Sequence, residues 1–321
     1  MKTIKISRAN FPNTSMLYWA TYFEYILSKK FNVVIDADDP DIVFFSNMFV
    51  STDHIDTFTG KNGKTHTDYS SKTKKIFCTG EDFSNYESII SRGTDYYAIG
   101  TSALDHPRYL RLQLHNPTAS WGLYDESKLT ETPFDWLTQK RSGKEILNKK
   151  THFCGVVQNS TVPVRVELFE KLSAHRFVRA SGGWLTNVPL EERTIAYPRT
   201  DGEGYRSKVE FLSTCKFSLQ VQSSNTSHFT HEKMIQAYAA NTVPIFFGND
   251  KILEDGFNQK SFINCHDYTS IDEVVERIKI VDQNDELFAS MIEEPVFLNN
   301  QLPYYFNPDY LNSFIERVLN E

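Results

Sequence analysis

Residues 216–250, KFSLQVQSSNTSHFTHEKMIQAYAANTVPIFFGND, constrain the fold more than any other stretch of the chain. Phe217 to Gln222 is a short β-prone run. Thr230 to Ala240 places Met234, Ile235, Tyr238 and Ala239 on one helical face, and Thr242 to Phe247 is a second β-prone run closed by Gly248. Strand, helix and strand within about 30 residues make a βαβ unit, which requires parallel strands and a right-handed crossover. In such units a ligand binds beyond the carboxyl ends of the strands, here at the loop Ser223 to Phe229.

The first turn of that helix holds a conflict. With Thr230 as the expected N-cap, His231, Glu232 and Lys233 fall at the positive end of the helix dipole. Glu232 suits that end and Lys233 does not. Two readings follow. Either an anion, most often a phosphate, is shared by the exposed N–H groups and Lys233, or Lys233 is a solvated lysine costing roughly a few tenths of a kcal/mol.

The rest of the chain repeats the βα alternation. Strands are expected at Thr3–Ser7, Asn32–Ile35, Ile42–Ser46, Lys75–Thr79 and Asp95–Ile99, with an amphipathic helix over Ser15–Lys30 and a short one over Tyr86–Ser91. Val50–Thr73 lacks periodicity and reads as a long loop. A second series begins with strand Thr151–Val157, helix Pro163–Ala174 and strand Phe177–Ala180. It ends with helices at 271–282, 285–292 and 308–319. At 321 residues and about 150 per domain, two domains are expected. The basic stretch KRSGKEILNKK sets the boundary, giving domains 1–148 and 149–321, with the final helix able to pack back on the first. The fold class is α/β: two Rossmann-like halves facing each other across a ligand cleft.

Composition excludes several classes. A net charge of −7 argues against nucleic acid as a partner. Cys78, Cys154, Cys215 and Cys265 follow no zinc or disulfide spacing and read as buried thiols. No apolar run reaches the 18 or so residues of a transmembrane segment, and MKTIKISRAN lacks a signal peptide's apolar stretch, so cytoplasmic residence is expected.

Arg165 stands near the start of its helix, as Lys233 does, and is equally misplaced for the dipole. Two such cations form a pyrophosphate clamp or are unrelated surface charges. Gly182-Gly183, after a strand, is either a turn or a place where backbone approaches a nucleotide. Glu81, at the carboxyl edge of an apolar strand, is a general base or a turn residue. Asp36-x-Asp38 sits in an acidic run around Pro40 and reads as a solvated turn. His231-Glu232 does not continue into H-E-x-x-H, and neither G-x-G-x-x-G nor G-x-x-x-x-G-K-[ST] occurs, which argues against zinc-protease, NAD and P-loop sites.

The segment 216–250 resembles the donor-binding segment of the α-1,3-fucosyltransferases, with its F-E-N-S, Y-x-T-E-K and P-I-x-x-G pattern. KKIFCTGED, DYYAIG and HPRYLRLQL look like the first-half motif of the bacterial members, and VVQNSTVPVR is similar to V-x-S-N-x-x-x-P-x-R. The resemblance implies a GT-B fold that transfers L-fucose from GDP-fucose, with inversion, to a glycan hydroxyl such as the 3-OH of GlcNAc or glucose. The setting it implies is surface polysaccharide synthesis at or near the inner membrane. It implies Glu81 as the catalytic base and Arg165, Glu232, Lys233, Ser223, Phe229, Asn159 and Gly183 around the donor. No metal is obligatory in this scheme; a divalent ion is at most stimulatory. The chain departs from the pattern where F-E-N-S reads Val221-Gln222-Ser223-Ser224, and where the Tyr and Thr of Y-x-T-E-K are Phe229 and His231. Those changes bear on the sugar more than on the phosphates. Another GDP-deoxysugar, or a non-catalytic binding protein on the same scaffold, is the alternative.

Overall fold

The structure is a computed structural model that describes residues 1–9, 17–46, 63–80, 82–113, 134–194 and 203–321. It divides into two compact units, Met1–Pro117 with Tyr304–Glu321, and Thr118–Pro303.

In the first unit, strands β1 (Lys2–Ala9), β2 (Phe31–Ile35), β3 (Ile42–Phe45), β4 (Lys74–Cys78), β5 (Tyr96–Gly100) and β6 (Tyr109–Arg111) form one sheet in the order β2-β1-β3-β4-β5-β6. Every pairing is parallel. Parallel sheets are covered on both faces, so their strands are continuous apolar runs, and all of Ile42–Phe45 is buried. Helix Leu17–Ser28 covers one face through Phe23, whose ring stacks on Phe44 at 4.9 Å, together with Ile26 and Leu27. The last helix, Pro308–Asn320, lies beside it, with Lys30 paired to Glu316 at 2.7 Å.

In the second unit, β7 (His152–Val156), β8 (Val178–Ala180), β9 (Cys215–Val221), β10 (Val243–Phe247) and β11 (Ile263–Asn264) run parallel in the order β11-β10-β9-β7-β8. All seven residues of β9, the central strand, are buried. Leu168, Leu172, Phe217, Leu219, Val243, Ile245, Ile278 and Phe288 form the core between this sheet and its helices. Helix Ile271–Asp282 begins at Ser270, whose hydroxyl accepts from the Glu273 N–H, and Asn284 caps Asp285–Glu293 in the same way. After β7 the chain builds β8 on one side, then returns past β7 to lay β9 on the other. The order therefore reverses between β7 and β9, and in open α/β sheets that is where ligands bind.

Three features differ from the sequence reading or refine it. The units divide at 117/118 rather than 148/149. KRSGKEILNKK lies inside the second unit: helix Gly143–Leu147 packs so closely on helix Asp285–Glu293 that a Cβ at Gly143 would come within 2.3 Å of the Ala289 carbonyl oxygen. The Gly143 N–H also donates to Glu293 at 3.0 Å. The helix expected from Thr230 starts at Lys233. Asp36 accepts from the Asp38 and Asp39 N–H groups, both at 3.0 Å, as a turn residue does. All four cysteines are free and buried. Among the described residues no helix is long and apolar enough to cross a membrane.

Candidate functional site

Arg165 occupies the switch point. It is the third residue of helix Pro163–His175, and its side chain turns back under the strand ends. Nη1 donates to the carbonyl of Ser160, in the loop after β7, and Nη2 donates to the carbonyl of Val221, the last residue of β9, at 2.6 Å. The residue is 1% exposed, Nε has no partner, and no described carboxylate pairs with it. Burial lowers its pKa to about 10, so the guanidinium is still charged at neutral pH. A buried cation without a counter-charge is costly. Its helix has no acidic residue in the first turn to offset it. The solvated-surface reading of Arg165 fails on this burial.

A second charged group leads helix Lys233–Ala239. His231 Nδ1 lies 3.3 Å from Glu232 Oε2 and 3.4 Å from Lys233 Nζ, and Nζ lies 3.5 Å from Glu232 Oε1. The three side chains are between 13% and 18% exposed. Burial, reinforced by the Lys233 charge, pushes the His231 imidazole below its ordinary value. Burial pushes the Glu232 carboxyl up, but Lys233 and His231 outweigh it and hold the group well below the carboxylate range. Glu232 is therefore an anion and Lys233 its cation, within reach of any ligand charge placed here. Thr230 is not the cap. Glu232 is, with helical backbone angles and no capping bond from its side chain to the helix backbone. Thr230 is fully buried and its hydroxyl donates to Asp255 Oδ2 at 3.0 Å.

The connection between the two groups is continuous. After Val221, Gln222 donates from Nε2 to the carbonyl of Phe229 at 3.0 Å, and the Phe229 ring lies 4.7 Å from that of His231. Phe229 is 2% exposed, so its ring supports His231 from beneath instead of lining an open face. Ser223 is exposed at the loop's start. Asn159 and Gly183 meet each other: the Gly183 N–H donates to Asn159 Oδ1 at 3.1 Å, joining the loops after β7 and β8. The structure thus ties Arg165 to the end of β9, groups Glu232 and Lys233 with His231 beside Phe229, and separately joins Asn159 to Gly183. Glu81 lies outside the described residues.

Sequence reasoning missed Asn249. This buried residue follows Gly248 after β10 and accepts at Oδ1 from the His228 and Lys251 N–H groups, at 2.6 and 2.8 Å. It thereby holds His228 in a left-handed conformation, φ 66°. The G-N-D turn signature at 248–250 was its only sequence signal.

Residues 146–293 match the family model described as glycosyltransferase family 10 (fucosyltransferase), C-terminal. Over those residues the chain is similar to that family. The match lies within the second unit and contains Arg165, Glu232, Lys233 and Asn249. The α-(1,3)-fucosyltransferase FucT of Helicobacter pylori is 28% identical over 242 residues, 69% of this chain and 47% of that protein. The 4-galactosyl-N-acetylglucosaminide 3-α-L-fucosyltransferase 9 of Bos taurus is 27% identical over 168 residues, 50% of this chain and 42% of that one. The chain thus spans less than half the length of either relative. A crystal structure of an α1,3-fucosyltransferase with GDP-fucose superposes with a TM-score of 0.70 at 22% identity, covering all of this chain and 91% of the other. The likeness establishes the fold, two parallel-sheet α/β units of GT-B type. Within the matched residues, β7 to β11 supply the sheet whose carboxyl end carries Arg165.

Proposed function

We propose that the chain transfers L-fucose from GDP-fucose to a hydroxyl of a glycan acceptor, such as the 3-OH of GlcNAc or glucose, with inversion at the anomeric carbon. The observation that carries this reading is Arg165, a buried cation with no described carboxylate partner at the β7/β9 switch point. A diphosphate there supplies the missing negative charge. Lys233 supplies the second cation, and Glu232 faces the sugar side. Glu81 deprotonates the acceptor hydroxyl as its oxygen attacks the anomeric carbon. The bond to GDP breaks with its electron pair leaving on the diphosphate, where Arg165 and Lys233 neutralise the developing charge. The family 10 match and the fucosyltransferase relatives support fucose on GDP as the donor. A cytoplasmic role in surface polysaccharide or protein glycosylation fits this chemistry.

The test offers the protein a panel of GDP-sugars with candidate acceptors and reads products by mass. A fucosylated product is expected, and a panel that yields no fucosyl transfer overturns the reading. Glu81→Gln should retain GDP-fucose affinity and lose transfer; unchanged turnover would remove Glu81 from the base's role.

A further inference from the structure

Enclosed polar atoms without a partner are few in a folded protein, and each one carries an energetic cost. In the second unit Arg165 Nε, Gln222 Oε1, Ser224 Oγ and Gln236 Nε2 are such atoms. Three belong to residues 222–236, and the fourth is on the side chain that holds the carbonyl of Val221. Arg165 Nε and Gln222 Oε1 fall together at the end of β9, which marks that strand end as built to meet a ligand as well as to pack.

Gln222 is the most constrained of them. It is 3% exposed. Its main-chain N–H donates to Phe247 at 2.8 Å, and its Nε2 donates to Phe229. Gly248 lies against the amide, and a Cβ there would come within 2.5 Å of Gln222 Oε1. With Nε2 committed to a carbonyl, the amide cannot rotate to exchange its ends. Oε1 is therefore fixed as an acceptor, and it can be satisfied only by an O–H or N–H. A neutral acceptor suits a hydroxyl and is indifferent to phosphate, which carries no proton to donate at neutral pH.

We infer that Gln222 is a specificity-determining residue, accepting through Oε1 a hydrogen bond from a hydroxyl of the nucleotide sugar. This rests on the donor reading above. Two sources of that hydroxyl exist, the ribose and the transferred sugar, and both present the same chemistry. A site built around such an acceptor discriminates against ligands lacking the hydroxyl, because the buried oxygen is then left unpaired.

The experiment is a protein-by-ligand cycle read by isothermal titration. The full chain and the near-isosteric Gln222→Met variant are each titrated with GDP, 2′-deoxy-GDP, 3′-deoxy-GDP and GDP-fucose. In the parent chain, deleting the recognised ribose hydroxyl should weaken binding about tenfold or more. If the sugar is recognised instead, GDP-fucose should bind more tightly than GDP by that factor. In the variant the corresponding ratio should fall to near one. A purely structural role for Gln222 would weaken all four ligands alike and leave every ratio unchanged, which overturns the inference. The parent's ratios alone test it if the variant does not fold: ratios near one for every pair overturn it. If the parent binds neither GDP nor GDP-fucose, the donor reading itself falls and this inference with it.

Discussion

Asn249 Nδ2 donates to Thr230 Oγ1 at 2.8 Å and to Asp255 Oδ2 at 2.9 Å, while Thr230 Oγ1 donates to the same Asp255 oxygen. One amide therefore ties the arm 228–230 to the loop after β10, immediately ahead of His231, Glu232 and Lys233. Replacing Asn249 with Ala removes four hydrogen bonds, to Thr230, Asp255 and the His228 and Lys251 N–H groups, and stability should fall by about 2 kcal/mol or more. GDP affinity should fall with it, because the arm no longer fixes the 231–233 cluster. Asn249→Asp places a second carboxylate against Asp255, whereas the double change Asn249→Asp with Asp255→Asn restores a donor facing an acceptor. Thermal unfolding should show the double variant more stable than Asn249→Asp alone.

Arg165 performs two tasks that substitution can separate. Arg165→Ala leaves the carbonyls of Ser160 and Val221 without their donors, so both stability and GDP binding should drop. Arg165→Lys keeps the charge, but a compact ammonium lacks the fork that spans two carbonyls with Nε to spare. It should recover part of the melting temperature and less of the GDP affinity. Equal recovery of both would argue that charge alone is what the site uses.

The elements most readable in the sequence are those whose signals are local. Helix Ile271–Asp282 has a Ser cap, acids in its first turn and a regular apolar face, and the structure gives the same limits. β9 and β10 were legible as apolar runs, only shifted by a residue or two. What failed was decided by distant partners. Thr230 has the local credentials of an N-cap, but Asp255, 25 residues on, claims its hydroxyl. KRSGKEILNKK reads as a domain boundary, and only the Ala289 backbone explains why Gly143 must be there. The clash between Arg165 and its helix dipole was visible in sequence. Its burial was not, since that depends on where the β9 carbonyls end.

The pH dependence of the 231–233 cluster has a defined sign. The His231 imidazole is held below 6.5 in the fold, so between that lowered value and 6.5 the unfolded chain binds more protons. Stability therefore falls as pH drops through 6.5. Glu232, held well below 4.5, contributes stability above 4.5 that is lost on further acidification. Melting temperatures from pH 8 to 4 should decline in these two stages. His231→Asn should shrink the first stage and keep the second, the remainder coming from His152, whose imidazole pKa is also lowered by burial; a first stage of undiminished size would assign it to groups other than His231.

Lys150 closes the base of the same region. Its Nζ donates to the carbonyl of Ser213 at 2.7 Å and to that of Ala240 at 3.0 Å, so one ammonium sits at the carboxyl ends of helices Glu203–Ser213 and Lys233–Ala239. Cations are favoured there by the helix dipole, but burial lowers the Lys150 pKa from 10.5 to about 8. A base with a depressed folded pKa binds fewer protons folded than unfolded between those two values. Its contribution to stability is therefore constant below pH 8 and rises as pH increases from 8 to 10.5. Lys150→Met should cost about 1–3 kcal/mol at pH 7 by leaving two carbonyls unpaired. The gap between parent and variant should then widen from pH 8 to 10.5, because only the parent gains the titration. A gap that stays constant across that range would mean that the ammonium is not desolvated in the fold.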